Sequence, residues 1–102
     1  MLLTLLLGLV TLPPGEIFGD VKLGADYVVD ATVKLTCGAD VAEAKTDKSG
    51  SYRIHSKSGG KCSVAVAYKG QTAAVDVVVF ERPTRYRLVL EEKDGKYTLK
   101  RV

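Results

Sequence analysis

The side chains with the most chemistry to offer in this 102-residue chain are one histidine, two cysteines, and a cluster of arginines and lysines towards the end. His55 is the sole histidine, and it stands at alternate spacing between Arg53 and Lys57. A nucleophile, base and acid can be written on paper from Ser51 or Ser63 with His55 and Asp47. Neither serine lies in the Gly-x-Ser-x-Gly elbow that lifts a nucleophile clear of its sheet. Asp47-Lys48-Ser49-Gly50 has the look of a calcium-loop fragment, but the later carboxylates that complete such a loop are missing. The plainer chemistry there is a turn, in which Asp47 caps local backbone N–H groups and Gly50 supplies a positive φ. Gly59-Gly60-Lys61 lacks the following helix whose amides would cradle a phosphate. The sequence therefore predicts no catalytic residues, no metal site, no cofactor and no enzyme.

Cys37 closes the alternating run Val33, Leu35, Cys37, and Cys62 opens the run Cys62, Val64, Val66, Tyr68. Both thus fall on the apolar faces of their strands, where adjacent or facing strands can bring them to bonding distance. An even count in a small chain predicts a Cys37–Cys62 disulfide. A structural zinc is excluded, because it takes four ligands and this chain has too few cysteines and histidines.

Net charge is +3, and its distribution is uneven. Asp20 to Glu81 is balanced, whereas Arg82 to Val102 holds seven basic residues against three acidic ones. Arg82, Arg85, Arg87, Lys96, Lys100 and Arg101 are the candidate interaction surface. Such a stripe can meet an anionic surface or simply solvate an outer face. A single-stranded nucleic acid would call for exposed aromatics among the basic residues. Tyr86 and Tyr97 fall on the apolar face of this segment instead, so no nucleic-acid partner is predicted.

These residues must be positioned by strands. After Gly19 nearly every segment alternates with period two, and none keeps a helical period. Strands are predicted near Asp20–Leu23, Ala31–Cys37, Val41–Thr46, Ser51–Lys57, Lys61–Lys69, Thr72–Phe80, Arg85–Glu91 and Lys96–Arg101. A helix could fit only around Gly24–Asp30. Turn sequences separate the runs, with Asp94-Gly95 the clearest hairpin signal. The alternation assigns Val21, Leu23, Val33, Leu35, Tyr52, Ile54, Val64, Val66, Tyr68, Val75, Val77, Val79, Leu88, Leu90, Tyr97 and Leu99 to the core. Val78 and Phe80 break the rule on the other face of their strand. Either that face is covered or an apolar edge invites another strand. The fold class is all-β, a single Greek-key β-sandwich of about seven to eight strands.

The first residues read differently. Leu2 to Leu12 is almost wholly apolar and is ended by Pro13-Pro14-Gly15. A membrane-spanning helix needs about 20 such residues, so no transmembrane span is predicted. The run suits the apolar region of a secretory signal peptide, with Ile17-Phe18-Gly19 as its cleavage site, although no lysine or arginine precedes it. A retained apolar strand and a membrane-surface anchor are the other readings. Residues 1–19 are accordingly set apart from a domain over 20–102. The expected location is secreted, periplasmic or at the cell surface.

Gly19-Asp20-Val21, then Val29-Asp30-Ala31-Thr32-Val33-Lys34-Leu35, then Thr46-Asp47-x-x-Gly50-x-Tyr52-Arg53-Ile54 resemble the carboxypeptidase regulatory-like family, a prealbumin-like (transthyretin-like) β-sandwich. The segment from Phe80 to Leu90 with Gly95-Lys96-Tyr97 is similar to endings in small exported bacterial members. The resemblance implies a non-catalytic module that assists folding, docks domains, binds ligands or extends a surface protein. Isopeptide bonds of adhesin relatives use an asparagine, and this chain has none. The expected function is an exported binding or interaction module that recognises a protein or glycan at the cell surface through loops at one end of the sandwich or through the basic face of the last hairpin. The alternative is a structural subunit that self-associates by strand addition through Leu2–Leu12, beside Val75–Phe80.

Overall fold

A computed structural model describes residues 15–102 of the chain, and the apolar run from Leu2 to Leu12 lies outside them. The strands are β1 (Gly15–Leu23), β2 (Asp26–Tyr27), β3 (Thr32–Cys37), β4 (Asp40–Lys45), β5 (Ser51–Ser56), β6 (Gly60–Tyr68), β7 (Gln71–Val79), β8 (Thr84–Arg85), β9 (Leu88–Lys93) and β10 (Lys96–Arg101). They form an all-β sandwich of two sheets, with six and four strands. The smaller sheet runs β4-β3-β6-β7, antiparallel throughout. The larger is organised around β1, which is paired along both sides. On one side it meets β5 and then β2, antiparallel. On the other it meets β8 and then β9, parallel, with β10 beyond β9. No helix among the described residues is long and apolar enough to cross a membrane.

Local sequence explains the ladders. Lys69-Gly70 and Asp94-Gly95 each have positive φ at both residues, the type I′ geometry whose twist matches that of the joined strands. The β6–β7 and β9–β10 hairpins follow directly. Period-two alternation then sends Val33, Leu35, Val64, Val66, Val77, Leu88, Leu90 and Leu99 into one core. Leu23, Tyr68, Val75 and Tyr97 are half-buried against it. Cys37 and Cys62 sit side by side on neighbouring antiparallel strands of one sheet, 4.4 Å apart at Cα, and are disulfide-bonded. That separation is the close spacing of a non-hydrogen-bonded cross-strand pair.

Three features differ from the expectation. β1 starts at Gly15 rather than Asp20, and Ile17 is completely buried opposite Ile54. An apolar stretch closed by two prolines looks the same at the end of a leader as it does ahead of a central strand. The segment around Gly24–Asp30 is extended rather than helical, with Val28 bonded to the Val21 carbonyl and buried. The predicted strand Arg85–Glu91 is split in two, because Tyr86 crosses over Gly19. A Cβ at Gly19 would stand 1.9 Å from the Tyr86 carbonyl oxygen, so only glycine permits this approach.

The sandwich is closed at its sides by side chains rather than by ladders. Gln71 of β7 donates to the Gly95 carbonyl and accepts from the Tyr97 amide at the end of β10. The Tyr86 hydroxyl donates to the carbonyl of Val78 and accepts from its amide. The apolar second face of β7 therefore divides. Val78 is half-buried with both main-chain groups engaged, while Phe80 stays half exposed.

Candidate functional site

The stretch from Thr46 to Ile54 links the two sheets, and each of its signature residues has a structural task. Thr46 is buried, its hydroxyl accepts from the Ala31 amide at 2.9 Å, and its own amide donates to the Ala31 carbonyl. The Asp47 carboxylate accepts from the Ser49 and Ser51 amides at 2.8 and 2.9 Å. Those amides, Ser51 first, hold its carboxyl below the ordinary aspartate range. Gly50 has φ +72°, and a Cβ there would meet Tyr27 at 2.9 Å and the Val21 carbonyl at 3.0 Å. Tyr52 is buried, and its hydroxyl donates to the Tyr86 carbonyl at 2.8 Å. Burial first, then the charge of Asp20, raises that hydroxyl well above the usual tyrosine value. Ile54 completes the set in the core. The turn is a joint of the fold.

The paper triad is not brought together. Ser51 and His55 lie four residues apart on one strand, about 13 Å at the usual rise. Ser63 belongs to the other sheet, opposite Asp76. Gly60 opens β6 directly, with no helix after it. Among the described residues no three histidine, cysteine or acidic side chains converge as a metal site would need.

The basic residues are sorted by the sheets. In β1 the inward set is Ile17, Gly19, Val21 and Leu23, so Glu16, Phe18, Asp20 and Lys22 face out. Register then carries Arg53, Arg85, Val89, Lys93, Lys96 and Lys100 to that same outer face. Arg87 joins them, with its Nε 4.0 Å from the Asp20 carboxylate. Of the six residues singled out by sequence, Arg85, Arg87, Lys96 and Lys100 thus share one face. Arg101 lies opposite Leu88 on the inward phase of β10, its guanidinium 5.9 Å from the Tyr86 ring centre. Arg82 projects from the loop between β7 and β8. Sequence reasoning left Phe18, Lys22 and Arg53 out of the surface, because distant segments supply them. The one available signal was the outward phase of Arg53.

Across this face the residues form rows. Arg53, Phe18 and Arg85 stand side by side on β5, β1 and β8. Lys22, Val89 and Lys100 do so on β1, β9 and β10. Several charges are paired: Arg53 with Glu16 at 2.7 Å and Lys100 with Glu91 at 3.2 Å. Lys22 lies over Tyr27, 4.7 Å from its ring centre. An open hollow of about 500 Å³ is lined by the first row together with Gly19, Asp20, Ala44, Lys45, Asp47, Ser51 and Tyr52. No protein-family model matches the chain, and no curated protein matches it.

Proposed function

We propose that the chain is an exported, non-enzymatic interaction module of the prealbumin-like, carboxypeptidase regulatory-like kind. It works through the outer face of its six-stranded sheet on a protein or glycan at the cell surface. The observation that carries this reading is the gathering of basic side chains from β1, β5, β8, β9 and β10 on that single face. Loop-poor sheet faces of this sort recognise by presented side chains, and a one-sided charge steers an oppositely charged partner. The two-sheet sandwich and the jointed Thr46–Ile54 turn support the family reading. The Cys37–Cys62 bridge supports an oxidising destination.

Two measurements test this together. Fractionation of producing cells should find the chain outside the cytoplasm, with neither cysteine reactive to an alkylating agent. Retention of the purified chain on isolated cell-surface material should weaken as salt is raised. It should vanish when Arg85, Arg87, Lys96 and Lys100 are all changed to glutamine. Undiminished retention by that variant, or a cytoplasmic chain with two reactive thiols, refutes the proposal.

A further inference from the structure

One row of the basic face is built differently from the rest. Arg53 and Arg85 flank Phe18, each in register with it, and both line the same hollow. Two strand spacings, about 10 Å, separate their backbones, so their side chains can reach a common ligand from either side. The Arg53 guanidinium is positioned twice over. It lies 4.8 Å from the centre of the Phe18 ring, and Nη1 donates to the Glu16 carboxylate at 2.7 Å. Arg85 makes no ion pair among the described residues. The acidic groups that share the hollow are committed elsewhere: Asp47 to the Ser49 and Ser51 amides, and Asp20 to Arg87. Beside the Lys45 ammonium, which lies 3.7 Å from the Asp30 carboxylate, the hollow therefore offers a ligand guanidinium, one group held in place and one unpaired.

We propose that Arg53 and Arg85 clamp a carboxylate of an acidic polysaccharide, a uronate-bearing glycan, with the Lys22–Lys100 row engaging a further charge along the same polymer. This rests on the interaction-module reading and names its partner. Guanidinium forks match carboxylates bidentately, which fixes orientation as well as charge. Phe18 and Lys22 lie four residues apart on the same side of β1, about 13 Å, with Asp20 between them and Arg87 at 4.0 Å from its carboxylate, so one polymer lying along β1 meets both rows. Joint engagement of repeated charges raises avidity with no new kind of contact. A peptide is the weaker candidate. β1 beneath the rows is paired on both sides, so the main-chain pairing that extended peptides use is open only at the outer edges of β5 and β8, beside the clamp rather than across it.

Affinity electrophoresis of the full chain through gels containing polygalacturonate tests the clamp. The protein should be retarded, and Arg85→Lys and Arg53→Lys should each weaken binding by about tenfold or more, since lysine keeps the charge and loses the fork. Lys34→Gln, on the outer face of the other sheet, should weaken it by less than about threefold. Circular dichroism of every variant confirms that it is folded before its mobility is compared. Full-strength binding by both arginine-to-lysine variants, or an equal loss in Lys34→Gln, means charge alone and overturns the clamp. Equal or tighter binding to polyglutamate identifies an acidic peptide and overturns the polysaccharide. Failure to bind polygalacturonate at all also overturns it, while salt-sensitive retention on cell-surface material would still uphold the interaction module.

Discussion

A chain shortened to begin at Asp20 should not fold. Residues Gly15 to Asp20 pair in unbroken register with Ser56 to Ser51, and Ile17 and Phe18 also pair with β8. Ile17 has no exposed surface at all. Cutting a fully buried isoleucine to alanine costs about 2–5 kcal/mol, the lost transfer energy plus the cavity left behind. Removing Gly15–Gly19 takes that side chain away altogether. It also strips β5 of its only ladder partner among the described residues and removes the glycine over which Tyr86 crosses. A domain of this length has a total stability of about 4–13 kcal/mol, so the combined loss matches or exceeds it. Urea titration followed by far-ultraviolet circular dichroism separates the cases. Ile17→Ala in the full chain should shift the midpoint down with an unchanged slope. The chain starting at Asp20 should show no cooperative transition. A cooperative transition at the full chain's midpoint would refute the placement of β1 in the core. The same packing bears on processing. A leader cut after Gly19 would carry Ile17 away, so intact mass of exported protein should show an N-terminus no later than Gly15.

Gly50→Ala should destabilise the fold by about 1–3 kcal/mol in the same titration, because the left-handed φ is costly for alanine and the new methyl meets Tyr27 and the Val21 carbonyl. Stability should fall as pH rises beyond about 10, the ordinary tyrosine value. The raised Tyr52 value means its contribution is whole below that pH and is lost as the folded-state value is approached from below. Tyr52→Phe should flatten this alkaline slope while costing roughly 1 kcal/mol at neutral pH for the lost bond to the Tyr86 carbonyl, and an unchanged slope counts against it. Reducing Cys37–Cys62, 25 residues apart, should cost about 3 kcal/mol by freeing the unfolded chain. Midpoints measured with and without reductant check this, and equal midpoints would show that the sheet alone holds that corner.

What the chain reveals locally, it reveals well. Alternation and turn chemistry act between neighbours, so the hairpin at Asp94-Gly95, the strand over Ser51–Ser56 and the inward phases of Cys37 and Cys62 are legible in the residues themselves. Pairing between distant segments leaves no such trace. Nothing in Ser51–Ser56 says that it leaves β4 for the other sheet and joins β1. Nothing near Thr84 says that two residues will lie parallel to Ile17 and Phe18. The row Arg53, Phe18, Arg85 needs both facts at once, which is why a surface drawn from the C-terminal charges alone found only one of its three members. Thr46 stands in the Thr46–Ile54 motif, yet its task was not legible for another reason: a threonine at a strand end looks like any polar boundary until its hydroxyl is seen to bond the Ala31 amide.

Where recognition can reside depends on how the two outer faces differ. The outward positions of the four-stranded sheet include the short Thr32, Thr36, Ser63, Ala65, Ala67, Thr72 and Ala74, and its longer ones, Lys34, Lys45, Lys61, Glu43 and Asp76, mix both signs. The six-stranded sheet presents an excess of long basic side chains, and its outer face is stiffened from within. Tyr52 and Tyr86 tie β5 to the crossing before β9, and the Tyr86 hydroxyl anchors that crossing to β7. Arg53 and Arg85 stand on the two strands that this tie holds beside β1. A ligand that bridges them binds groups whose spacing is already set, so little ordering is left for binding to supply. Loosening the tie should therefore weaken any ligand held by the row, even though Tyr86 does not line the hollow. Tyr86→Phe leaves the ring in place but frees both main-chain groups of Val78. It should reduce polygalacturonate retardation more than Lys34→Gln does, in chains shown to be equally folded. Unchanged retardation would place the rigidity of the row in the β1 ladders alone.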